Sequence, residues 1–198
     1  MNVSIEDIRK LKELSGIGLT DAKAALVEAD GDFDKALETL RKKGVTKAEK
    51  KGDREAREGL IDSYVHGGRI GVLVEVNCET DFVARTDNFK SFVHEIALQV
   101  ASMSPEYISE ADIPAEELER VKTESKERVM SEGKPENMIE KIVEGQVKKH
   151  FEEKVLLSQT YIKNEKQTVE DFLKENIAIT GENLVIRKFR RIELGVDE

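Results

Sequence analysis

The sequence predicts an α+β fold: a small antiparallel sheet covered by helices, preceded by a helical domain and carrying a long helical hairpin. Three observations lead there. Three short helical patterns, each ended by glycine, occupy residues 4–43. A period-two stretch with a central "HGGR" follows from Gly59. Two long charged segments with narrow apolar stripes flank "GKP" at 133–135.

In the first pattern Ser4 and Asp7 have capping-box spacing, and Ile5, Ile8, Leu11 and Leu14 follow at helical intervals. "SGIGLTD" breaks it, and Thr20 or Asp21 is placed to cap a second helix over Ala22–Ala29, closed by Gly31. In the third pattern Asp32 is the candidate cap, Phe33, Ala36, Leu37 and Leu40 point inward, and Gly44 is the stop. Residues 1–56 are therefore expected to form a three-helix domain with a basic linker, and residues 57–198 the α+β core. The linker, 41–57, holds eight basic and three acidic residues without a large apolar face. A solvated connection explains it better than a nucleic-acid tail, since no aromatics interleave to stack bases.

From Gly59, Leu60, Asp62, Tyr64 and His66 alternate with Ile61, Ser63 and Val65. After the turn, Ile70, Val72, Val74 and Val76 alternate with Gly71, Leu73 and Glu75, which makes a β-hairpin. A helix is expected from about Asn88, burying Phe89, Phe92, Val93, Ile96 and Val100 and stopping before Pro105. Leu118, Val121 and Val129 mark the first helix of an αα-hairpin over 115–132. Ile139, Ile142, Val143, Val147, Phe151 and Val155 mark the second, over roughly 136–158. A short helix from Val169 to about Asn176 and a final strand in "GENLVIRKFRRIELG" complete the chain.

Composition narrows the function. Charged residues make up 37% and aromatics 5% of 198 residues, so the core must come from Val, Ile, Leu and Ala. A formal charge of -9 argues against a general nucleic-acid binder, which needs a local excess of Lys and Arg. One cysteine cannot form an internal disulfide. No apolar run approaches the roughly 20 residues of a membrane span. "MNVSIEDIRK" lacks a signal peptide's apolar stretch, so a cytoplasmic protein without membrane contact is expected.

Catalytic constellations are sparse. His66, Cys78 and Asp81 can be drawn as a thiol triad, but Cys78 continues an apolar strand, where a free cysteine packs as a small hydrophobe. Glu79 and Asp81 with His66 lack the helical or paired-cysteine spacing of a metal site. Gly16 and Gly18 join two helices and follow no strand, which speaks against a phosphate cradle. A binding protein without cofactor, metal or catalytic residues fits best. Within it, "VNCETDFVARTDNF" is unusual: Phe82 directly follows an acidic turn after an apolar strand.

That segment resembles the signature of the elongation factor Ts family. The resemblance extends through "LKELSGIGLTDAKAALVEADGDFDKALETLRKKG", "RIGVLVEVNCETDFVA", "KPENMIEKIVEGQVKKHFEEKVLLSQTYI" and "TGENLVIRKFRR", in the family's order, from Ile5 to Arg191. It implies that the first domain is ubiquitin-associated-like. The protein would be an exchange factor that binds elongation factor Tu and promotes GDP release, with no covalent chemistry. It further implies that Asp81 and Phe82 project from the core, Phe82 wedging between two helices of the partner and disturbing its Mg²⁺ and phosphate site. Thr80 and Val83 flank that wedge in the same T-D-F-V motif. Whether Asp81 touches the partner or caps the turn is left open by the residues alone. Leu19, Thr20 and Lys23 carry over as contacts of the first domain, with Thr20 replacing a larger apolar residue of some members. His66 carries over as a contact near the partner's phosphate loop. Thr180 and Gly181 match a further contact, Thr180 again standing where some members are bulkier. Long members hold two related core halves. This chain has one, which implies a homodimer, with the αα-hairpin and final strand as candidate self-interface. The alternative is a non-catalytic adaptor whose three-helix domain binds another folded protein.

Overall fold

The computed structural model describes residues 3–15, 17–40, 51–132 and 135–196. The expected stops at Gly16 and Gly44, most of the basic linker and most of the "GKP" turn lie outside them. The chain divides into two compact units, Met1–Leu98 with Glu170–Glu198, and Gln99–Val169.

In the first unit, α1 (Ile5–Ser15), α2 (Leu19–Glu28) and α3 (helical over 33–40) share an apolar cluster. Leu11, Ala22, Ala25, Leu26, Ala29 and Ala36 are its buried centre, with Ile8, Ile17, Phe33, Leu37 and Leu40 packed around them. Ser4 Oγ accepts the Glu6 and Asp7 N–H groups and caps α1, as its spacing predicts. Ile5 is exposed, although Val3 before it and Ile8 after it both pack against the cluster. Helix α2 begins three residues earlier than expected. Extended Gly18 occupies its N-cap position, and Thr20 and Asp21 fall inside the first turn instead of capping it. Asp32 Oδ1 accepts the Lys35 N–H at 3.0 Å and caps α3.

Strands β1 (Glu58–His66), β2 (Ile70–Cys78) and β5 (Val185–Glu193) form an antiparallel sheet in the order β1-β2-β5. Both central residues of the hairpin turn, Gly67 (φ 56°) and Gly68 (φ 68°), have left-handed backbone, the geometry whose twist suits a tight hairpin. The register pairs Leu60 with Val76, Asp62 with Val74 and Tyr64 with Val72, so these share one face. On that face Val72, Val74, Val76 and Cys78 are buried, and β5 adds Ile186. Helix α5 (Asp87–Met103) buries Phe89, Phe92, Val93 and Ile96, the stripe its spacing predicts. Its His94 reaches Asp62 of β1 at 2.8 Å, and Phe92 meets Phe172 of α8 (Val169–Thr180) at 5.3 Å between ring centres. The opposite face leaves Ile61, Val65, Leu73 and Ile192 exposed.

In the second unit, α6 (Ala115–Ser131) and α7 (Glu136–Glu152) form the expected hairpin. Val121, Val147, Phe151 and Val155 are buried together, with Leu118 and Val143 beside them. Helix α7 ends at Glu152, short of the expected 158. Beyond it the backbone is taken up by residues 106–108: Lys154 O accepts the Glu106 and Tyr107 N–H groups, while the Leu156 and Leu157 N–H groups bond Tyr107 O and Ile108 O. A short ribbon, β3 (Thr160–Tyr161) with β4 (Asn164–Thr168), follows without a sequence forecast. Buried Gln99 anchors it by donating to Thr160 O and accepting the Ile162 N–H. Helix α8 runs four residues past the expected Asn176, to Thr180.

Candidate partner-binding site

Strand β2 ends at Cys78, and three residues later the chain enters a single helical turn, α4 (Asp81–Ala84). Four residues are too few to hold a helix by their own hydrogen bonds. External ties hold this one. Glu182, in the loop between α8 and β5, turns its carboxylate into the turn. Oε2 accepts the Glu79 and Thr80 N–H groups, both at 3.0 Å, and Oε1 accepts the Thr80 hydroxyl at 2.6 Å. With its proton given to Glu182, the Thr80 oxygen accepts the Val83 N–H at 3.4 Å and caps α4. Thr80 therefore serves as the cap, and Asp81 does not. Asp81 stands in the first turn of α4 and pairs with Arg85 at 2.8 Å.

The tie is reciprocal. Glu79 Oε1 accepts the Asn183 N–H at 2.7 Å and lies 3.5 Å from the Arg54 guanidinium. The Asn183 amide donates to Gly52 O and Arg54 O. Lys51 Nζ donates to Gly181 O at 2.5 Å. Three stretches far apart in sequence, 51–54, 79–83 and 180–183, thus meet around one turn.

What the turn presents is Phe82, 78% exposed, the most exposed large apolar side chain among the described residues. A phenyl ring left in water forgoes the roughly 1.5–3 kcal/mol that burial would provide, and its neighbours in the turn are all polar-bonded. Val83 is half-buried. Thr180 ends α8, and Gly181 opens the loop that carries Glu182. The Thr180 hydroxyl donates to Asn176 O, and left-handed Gly181 (φ 77°) closes α8 through its N–H to Ile177 O.

The structure therefore brings Thr80, Asp81, Phe82 and Val83 together with Thr180 and Gly181. It does not bring His66 there. His66 sits at the other end of β1, exposed, with Nδ1 2.9 Å from the Tyr64 hydroxyl. Since Glu58 pairs with Cys78 and His66 with Ile70, nine-residue strands separate the two ends by about 26 Å at about 3.3 Å per residue. Leu19, Thr20 and Lys23 are exposed on the first turns of α2.

Cys78 is buried, and its thiol donates to Thr80 O at 3.1 Å. Burial, and next the Glu182 charge, push its pKa up to about 11, so it is a packed, protonated thiol rather than a nucleophile. Glu79, considered above as a metal ligand, is committed to Asn183 and Arg54. Among the described residues no group of three or more His, Cys, Asp or Glu side chains is arranged to hold a metal.

Glu182 and Asn183 escaped the sequence reading. They lie 103 and 104 residues from Glu79, and no local pattern in the sequence links the two turns.

Comparison with known proteins agrees with this architecture. A family model described as Elongation factor TS matches residues 46–196. Elongation factor Ts of Caldanaerobacter subterraneus is 51% identical over 194 residues, covering 98% of this chain and 97% of the relative. That of Coprothermobacter proteolyticus is 49% identical over 196 residues, covering 98% and 100%. That of Syntrophomonas wolfei is 50% identical over 194 residues, covering 98% and 91%. With half of its positions shared along nearly its full length, the chain belongs to the elongation factor Ts family.

Proposed function

We propose that the protein is a guanine nucleotide exchange factor of translation elongation, acting in the cytoplasm, which binds elongation factor Tu and promotes release of GDP. The observation that carries this reading is Phe82, held out on a turn whose backbone is tied down from outside. In the proposed mechanism Asp81 and Phe82 enter the nucleotide domain of the partner. Burial of the ring supplies the free energy that displaces the elements holding Mg²⁺ and phosphate. No bond in a substrate is made or broken. By linkage, the factor weakens GDP binding as much as GDP weakens binding of the factor.

Leu19, Thr20 and Lys23 on α2 form the second contact, in a domain whose three helices and separate apolar cluster support a ubiquitin-associated-like assignment. Thr180 and Gly181 border the wedge and extend it. His66 addresses the same partner from a second copy of the chain. In a homodimer a two-fold axis can bring one copy's His66 toward the other's Phe82. The exposed apolar face carrying Ile192 of the final strand favours that strand in the self-interface.

Stopped-flow release of a fluorescent GDP analogue from elongation factor Tu tests the reading. Wild type is expected to accelerate release and Phe82→Ala to lose most of that acceleration. Equal acceleration by both would return Phe82 to a passive role, and none by either would remove the proposed function.

A further inference from the structure

We propose that Glu182 is a positioning residue for Phe82, its carboxylate tying the 79–83 turn to the loop before β5; this rests on the reading that Phe82 enters the partner.

Phe82 is 78% exposed, so packing does not set its direction. The backbone of 80–83 must, and that backbone is one helical turn, too short to persist alone. Within the turn, Asp81 and Arg85 form an ion pair with both side chains well exposed, a kind of contact that adds little. Glu182 instead supplies three acceptor contacts, to two backbone N–H groups and one hydroxyl, and hydrogen bonds to an ionised acceptor are the strong ones. The third also sets the polarity of the cap. Because Thr80 donates to Glu182, its oxygen is free to accept from Val83. Removing the carboxylate would leave two N–H groups without their acceptor and let the hydroxyl rotate away from its capping role. The loop carrying Glu182 is itself anchored: its N–H donates to the Thr80-like neighbour on its own side, Thr180 Oγ1, and the adjacent Asn183 is held by Glu79. Glu182 thus acts at a distance from the partner, by keeping the backbone of 80–83, and with it the direction in which Phe82 leaves the turn, fixed before contact. A ring that wanders is in the competent position only part of the time, and function falls by that fraction.

The chain contains no tryptophan, so Phe82→Trp places a single reporter at the tip. Time-resolved anisotropy of that reporter in the full chain is compared with and without Glu182→Ala. The expected result is a clear rise in the fast local component, with unchanged far-ultraviolet circular dichroism. Glu182→Gln, which keeps the shape and one acceptor oxygen, is expected to fall between the two. It also substitutes as the test variant if Glu182→Ala fails to fold. Unchanged mobility in the folded variants would overturn the proposal. GDP release supplies the second readout. Glu182→Ala is expected to lower the acceleration about tenfold in the wild-type background and less than about twofold beside Phe82→Ala, because two residues acting through one step are not additive. Equal losses in both backgrounds would also overturn it. If Phe82→Ala itself exchanges like wild type, the wedge reading has failed, and the anisotropy result still decides whether Glu182 positions residue 82.

Discussion

Cys78 shows how one buried atom can be tested without touching function. Its thiol sits against Thr80 O beneath the exposed turn, with its pKa pushed up to about 11 by burial and by Glu182. A raised pKa means that the fold favours the protonated thiol. The associated stability is whole below the unfolded thiol's pKa of about 8.5 and is lost as pH rises through about 11. Denaturant midpoints of the wild type should therefore fall more steeply between those pH values than those of Cys78→Ala. At neutral pH that variant should lose about 1 kcal/mol of stability, the usual scale for a point mutation, and retain GDP-release activity. A thiol hydrolase would lose its activity instead.

Among the elements, the hairpin strands and the α6–α7 pair were legible in sequence for the same reason: each buries one face only, so periodicity survives in the residue order. Val72, Val74 and Val76 alternate with polar or exposed neighbours, and Val121 and Val129 recur on one helical stripe. Phe151 of α7 packs against Val121 of α6, and Phe151→Ala should cost about 3–5 kcal/mol by leaving a cavity among Val121, Val147 and Val155. Urea denaturation monitored in the second unit would register it. Less legible were features fixed by backbone partners distant in sequence. The early end of α7 and the β3–β4 ribbon depend on residues 106–108 and on Gln99, which no local pattern announces. Thr20 and Asp21 are good capping types, yet Gly18 holds the N-cap of α2 with backbone alone. Gly59 belongs with the hidden features. Its φ is 153°, and a Cβ there would stand 2.2 Å from Val76 O, so Gly59→Ala should disrupt the β1–β2 ladder far more than an ordinary strand substitution. Loss of thermal stability without change at a neighbour such as Ser63→Ala would be the signature.

At the scale of the whole molecule, the candidate site was legible in its tip and hidden in its support. Resemblance identified Asp81 and Phe82, while Glu182, Asn183, Lys51 and Arg54 became visible only where the chain folds back. This bears on truncation. Removing residues 1–50 is expected to weaken binding to elongation factor Tu by deleting Leu19 and Lys23, with the sheet still formed; unchanged affinity in a pull-down titration would exclude those contacts. Removing 1–56 takes away Lys51, Gly52 and Arg54 as well, and with them four of the ties around the turn. The longer deletion should therefore lose more GDP-release activity than the shorter one. The same ties bear on the length of the chain between them. Asn183 grips Gly52 O and Arg54 O, and β1 begins at Glu58 with its register already set against Cys78. One residue inserted between Arg54 and Glu58 has to be looped out of the largely exposed 55–57 connection; otherwise it breaks that grip or slides β1 by a step, turning Leu60, Asp62 and Tyr64 outward and Ile61, Ser63 and Val65 inward. Between those two anchors the chain has only three residues, 55–57, in which to take up a change of length.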